Sequence, residues 1–167
     1  MIKAEDLRIG DLVIVNDNCS LEQGTIGKVS EIRSTPLYKE NEGSIGLKPI
    51  SNDRWPWGVL CSNIDPIPLT PEILEKNGWN KKTFHERLSK SLRERYGYKS
   101  PNTVSVRERY CYTLPNTDLN IDYVPYRTQE SERFLIYGEC FMLKHIVFVH
   151  ELQHILWALG EDANLTI

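Results

Sequence analysis

The residues in this chain whose types and spacing could do chemistry are His150-Glu151-Leu152-Gln153-His154. H-E-x-x-H on a helix places two imidazoles one turn apart, where they can bind one zinc ion while the Glu acts as general base. A catalytic zinc normally takes three protein ligands and keeps a fourth position for water. Here the third ligand has no evident source. Position 157 is Trp and position 160 is Gly, where the longer metzincin signature has Gly and His, and only thirteen residues follow His154. Glu161 and Asp162 lie just past a helix-stopping Gly, and nothing recommends Cys140 upstream.

The helix that carries the motif gives a second test. At about 100° per residue, Phe148, Val149, Leu152, Leu156 and Leu159 form an apolar stripe, and His150 and His154 project from the roughly opposite face. The expectation is a solvated or partner-facing histidine pair, with no catalytic residue, no metal ligand and no cofactor assigned. If the zinc-hydrolase alternative holds, His150 and His154 are the ligands and Glu151 the base.

The elements that must position this helix follow from the rest of the chain. With 167 residues, 40% hydrophobic and 26% charged, the chain can bury a core without a metal or cross-links. The net charge of -3 gives no global case for nucleic acid. Acidic residues flank the short apolar run near the N-terminus, against the pattern of a secretory signal. The apolar stretch from Phe141 to Leu159 is broken by Lys144, three histidines, Glu151 and Gln153, so no membrane span or membrane partner is expected. Cys19, Cys61, Cys111 and Cys140 are widely spaced, as for buried thiols of a reducing compartment, so the expected location is the cytoplasm.

Residues 1–68 read as short strands joined by turns: Asp11 to Val15, Gly24 to Ile32, Ser44 to Lys48 and Trp57 to Cys61. A small SH3-like β-barrel would use these pieces. Residues 69–167 read as an α+β unit. Thr70, Pro71 and Glu72 open a short helix that Asn77-Gly78 ends. Phe84, Leu88, Leu92 and Tyr96 recur every four residues, predicting an amphipathic basic helix over Lys81 to Lys99. Strands are predicted for Val104 to Thr113, Leu119 to Val124 and Arg133 to Tyr137, and a long C-terminal helix closes the chain. The fold class is thus α+β, an SH3-like barrel followed by an α/β unit.

Three stretches carry a family resemblance. LRIGDLV at Leu7 to Val13, IDPIPLTPEILEKNGW at Ile64 to Trp79 and FVHELQHILWALG at Phe148 to Gly160 resemble small uncharacterised proteins of prophages and mobile elements in gut anaerobic bacteria. That family's closing helix usually has Gln at the place of Glu151 and often Asn at that of His154, which a zinc protease could not tolerate. The resemblance implies a fold and a genomic context but no activity, cofactor or catalytic residue. Val13 to Ile32 also resembles the KOW-type strand pattern of barrels that bind RNA or protein, through Gly24, Gly27, Val29 and Ile32. Glycines at bends are equally what any tiny barrel needs in order to curve.

Two further features bear on partners. The basic segment offers Lys82, Arg87, Lys90, Arg93 and Arg95, with His85, Tyr96 and Tyr98 interleaved, as phosphate and base contacts for a nucleic-acid-binding module. Trp55-Pro56-Trp57 either roofs the barrel core or forms an exposed patch. The first reading is a non-enzymatic accessory protein of a prophage or mobile element that acts through protein contacts. A nucleic-acid-binding module is the second reading, and the zinc hydrolase the third.

Overall fold

In a computed structural model the chain is described over residues 2–16, 21–33, 43–51, 56–87, 106–123, 134–138 and 142–167. It divides into two units, Met1–Leu69 with Phe148–Leu165, and Thr70–Val147 with Thr166–Ile167. The leading segment of the first unit ends at Leu69. The closing helix nevertheless belongs with the N-terminal strands, not with the segment that precedes it.

The first unit holds a five-stranded antiparallel sheet of β1 (Leu12–Val15), β2 (Ile26–Arg33), β3 (Ser44–Pro49), β4 (Trp57–Leu60) and β5 (Ile64–Pro66), in the order β4-β3-β2-β1-β5. The first four lie where the β-branched runs predict them. The barrel expectation needs correction, because no pairing among the described residues joins the edge strands and the sheet stays open. Both edges are short, and β5 ends at Pro66, which has no N–H to offer a ladder. A bulge between Val29 and Glu31 twists β2 locally, and the Ser30 hydroxyl donates to the Gly46 carbonyl at 2.9 Å. Val13, Val15, Val29, Ile45, Leu47, Val59 and Ile64 form the core on one face.

The helix of this unit, Val149–Leu159, is shorter than predicted, because Met142–Ile146 upstream is a strand. Gly160, at φ 78°, ends it in the left-handed conformation. The Glu161 N–H then donates to the Leu156 carbonyl at 2.9 Å, closing a Schellman-type cap that turns residues 161–164 back along the helix. Val149, Leu152 and Leu156 are fully buried, as the stripe predicts, but Leu159 is exposed.

The second unit contains the helix α1 (Pro71–Lys76), which makes the closing helix α2, and a second antiparallel sheet. Its strands are β6 (Asn80–Arg87), β7 (Val106–Thr113), β8 (Asn120–Tyr123), β9 (Phe134–Tyr137) and β10 (Met142–Ile146), ordered β10-β9-β8-β7-β6. Helix α1 begins and ends as its sequence dictates. The Thr70 hydroxyl accepts the Ile73 N–H at 3.4 Å, Pro71 takes the first turn, and Gly78 at φ 81° stops it.

The basic helix expected from Lys81 begins instead as a strand: Asn80 to Arg87 pair with Thr113 to Val106 without interruption. Alternation wins over the four-residue spacing because Lys81 has aromatic partners across the ladder. Its ammonium lies 4.8 Å from the Tyr110 ring centre and 2.9 Å from the Glu75 carboxylate. The remainder of the predicted helix, 88–99, lies outside the described residues. The described residues make a mixed α/β structure with two antiparallel sheets, in which strands dominate. Among the described residues no helix is long and apolar enough to cross a membrane.

Candidate functional site

The turn before β1 is fixed by its own backbone. The Asp11 carboxylate accepts the Arg8 N–H at 2.7 Å, Gly10 takes φ 103°, and the Gly10 N–H donates to the Val29 carbonyl at 2.7 Å. A side chain at position 10 would be strained in that conformation, which accounts for the glycine. The turn leaves Ile9 pointing away from the core at 72% exposure.

Helix α2 packs on this turn through polar groups that the helical stripe did not foretell. Gln153, only 4% exposed, accepts the Leu12 N–H at 2.9 Å through Oε1. Its Nε2 donates to the Gly10 carbonyl at 3.2 Å and the Ala163 carbonyl at 3.0 Å. One amide therefore satisfies the start of β1, the turn and the returning tail at once, as burial of polar backbone requires. His154 Nε2 meets the Asp11 carboxylate at 2.8 Å. A carboxylate can only accept, so that nitrogen carries a proton.

The expectation of a solvated or partner-facing histidine pair does not hold for His150. His150 is buried, its ring stacked on Phe148 at 5.8 Å, and its Nδ1 has no hydrogen-bond partner. Burial pushes its pKa below the usual histidine value, helped by neighbouring His154 and opposed by Asp11, Glu151 and Asp6. The stripe failed because α2 buries a wider arc than its aliphatic residues mark. That arc extends through Gln153 to His150, where the strand and turn supply polar groups for it to meet.

Among the described residues the side chains of the zinc alternative make other contacts. The two imidazoles lie edge to face at 5.8 Å, His154 spends Nε2 on Asp11, and the Glu151 carboxylate accepts the Phe148 N–H at 3.2 Å, capping its own helix. No group of three or more His, Cys, Asp or Glu among the described residues is placed to hold a metal ion.

What the two elements do form is a hollow of about 640 Å³. Arg8, Ile9 and Asp11 line it from the turn, His154 and Trp157 from α2, and residues 161–164 from the returning tail. The Arg8 guanidinium sits 4.9 Å from the Trp157 ring centre. Asp162 Oδ1 accepts both the backbone and side-chain amides of Asn164 at 2.9 Å, holding its pKa below the usual carboxylate value. Lys28 ties the same tail to β2 through Asn164 Oδ1 at 2.8 Å.

The other sequence candidates lie elsewhere. Lys82 is exposed on β6 and Arg87 ends that strand, while Lys90, Arg93 and Arg95 fall outside the described residues. Trp57, on the edge strand β4, is 39% exposed and so does not simply roof the core. Trp55 is not among the described residues. Cys61 and Cys111 are both buried, and Cys19 and Cys140 lie outside the described residues.

The second sheet carries one polar cluster that the sequence did not announce. Tyr137 donates to the Asp122 carboxylate at 3.2 Å and approaches the Cys111 sulfur at 3.6 Å, and Arg109 pairs with Asp122. Burial drives the Tyr137 phenol well above its ordinary pKa. These groups satisfy one another across three strands, so the cluster reads as cross-strand stabilisation of the sheet.

The chain matches no family model, no curated protein and no solved structure.

Proposed function

We propose that this is a non-enzymatic accessory protein of a prophage or mobile element, working in the cytoplasm by binding another protein through the hollow between the Leu7–Asp11 turn and α2. The observation that carries this reading is the position of Ile9 and Trp157. They are the two most exposed large apolar side chains among the described residues, at 72% and 67%, and both line the same hollow. Apolar groups left wet side by side mark a surface built to be covered. Trp and Arg are also the residue types that dominate binding energy at protein interfaces, and here Arg8 stacks on Trp157.

The polar groups in the hollow support binding over catalysis, because Gln153 and Asp11 are committed to backbone and to His154. Two of the stretches that resemble prophage proteins, Leu7 to Val13 and Phe148 to Gly160, supply the two walls. The strand order β4-β3-β2-β1-β5 supports kinship with SH3-like barrels, and such small β domains commonly bind proteins.

Selection of a displayed random-peptide library on the immobilised protein tests the reading. Enriched peptides should lose binding to the Ile9→Ser/Trp157→Ala variant, whose fold is checked by thermal melting. Failure to enrich any peptide, or undiminished binding to the variant, would reject the hollow as a partner site. Stoichiometric zinc in protein purified without added metal, lost in His150→Ala, would revive the hydrolase instead.

A further inference from the structure

We propose that the hollow takes a peptide segment in which a carboxylate lies beside an apolar side chain, with Arg8 gripping the carboxylate and Ile9 and Trp157 seating the apolar group. This rests on the reading of the hollow as a partner site and adds the chemistry of the partner.

The cation is the deciding group. The Arg8 guanidinium lies over Trp157, and among the described residues its side chain makes no ion pair and no hydrogen bond. Stacking on an aromatic face restricts a side chain that otherwise has many rotamers, so less freedom is lost when a ligand arrives. The planar fork left open by that stacking matches a carboxylate in bidentate fashion, with bonds stronger than those between neutral groups.

The acidic groups of the hollow are less available. Asp11 is buried beneath His154, and Asp162 already accepts two bonds from Asn164 with Lys28 close enough to lower its pKa. Glu161 is the remaining carboxylate, and it is the residue through which a basic partner would have to act. A peptide is favoured over a free small acid because Ile9 and Trp157 stand so far out of the surface. A molecule contained in the hollow would leave them wet, whereas a chain crossing its rim covers them.

Fluorescence anisotropy with three labelled peptides tests this: a Leu-Glu-Leu core, the same core with Gln for Glu, and the same core with Lys for Glu. The acidic peptide should bind roughly tenfold or more tightly than the Gln peptide, an advantage that Arg8→Gln abolishes. Equal binding of all three would overturn the carboxylate assignment and leave the apolar seat standing. Preferential binding of the Lys peptide, lost in Glu161→Gln, would invert the assignment. Binding by none of the three would overturn it too, and the random-peptide selection then decides separately whether the hollow binds peptides at all.

Discussion

His154 and Asp11 stand 143 positions apart in the chain and meet at 2.8 Å, the imidazole 23% exposed and the carboxylate 3%. The same carboxylate oxygen also accepts the Arg8 N–H, so a single atom joins the turn to α2. Replacing Asp11 with Ala leaves both partly buried donors without their acceptor, and chemical denaturation should show a loss of about 1–3 kcal/mol. Asp11→Asn keeps an oxygen available to them and should lose less. Combining Asp11→Ala with His154→Ala should cost less than the sum of the two single changes, since the pair shares one interaction. Strict additivity would mean the contact contributes nothing to stability.

Gln153 should be the more damaging residue to lose, although its type and position look ordinary on a helix. In Gln153→Leu the Leu12 N–H and the Gly10 and Ala163 carbonyls each lose a partner. Apolar burial gained at that position cannot offset three backbone groups left short. The expected loss is about 3–5 kcal/mol by urea denaturation, and hydrogen exchange at the Leu12 amide should accelerate. A variant that melts like the parent would show that the helix does not depend on this amide.

His150 makes stability depend on pH in a definite direction. Its folded pKa lies below the ordinary 6.5 because the ring is buried. Above 6.5 the residue is neutral in both states and its contribution to folding is intact. As the pH falls below 6.5 the unfolded chain takes up the proton first, so stability drops until the folded value is passed. His150→Phe keeps a flat ring against Phe148 and removes both the titration and the unpartnered Nδ1. The difference in stability between parent and variant should therefore shift in the variant's favour from neutral pH to about pH 5. A pH-independent difference would contradict the assignment.

Local signals in the sequence located most elements, and contacts between distant segments account for what was missed. Thr70, Pro71 and Gly78 bound α1 through interactions within a few residues, which a sequence displays directly. The β-branched runs marked β1 to β4 for the same reason. In contrast, Lys81 becomes strand because Tyr112, some thirty positions later, lies opposite it with Tyr110 on the diagonal, a contact that no window around Lys81 contains. Met142–Ile146 was absorbed into the closing helix because a short apolar run fits either element. At the site, the motif drew notice to His150, Glu151 and His154. The two groups that give the hollow its character, Ile9 and Trp157, carried no chemical signature. Their exposure is a property of the folded turn and the helix flank, and only the proximity of Leu7–Asp11 to α2 gives it meaning.

Gly24, in the turn before β2, and Gly27, within β2, separate two roles that look alike in sequence. Gly24 has φ 84° and open space where a side chain would stand, so Gly24→Ala should cost only the left-handed backbone, about 1–2 kcal/mol. Gly27 has an ordinary φ, but a Cβ there would lie 2.5 Å from Leu47 Cγ and 2.7 Å from its Cδ1. Leu47 is fully buried on the neighbouring strand and cannot swing away without displacing the core. Gly27→Ala should therefore cost about 1–3 kcal/mol by overpacking. The two mechanisms part company in combination with Leu47→Ala, itself destabilising. That change opens room for the new methyl, so the Gly27→Ala penalty should shrink in the Leu47→Ala background, while the Gly24→Ala penalty stays the same in both. Equal penalties for Gly27→Ala with and without Leu47 would show that backbone freedom, not clearance against Leu47, sets the need for glycine at position 27.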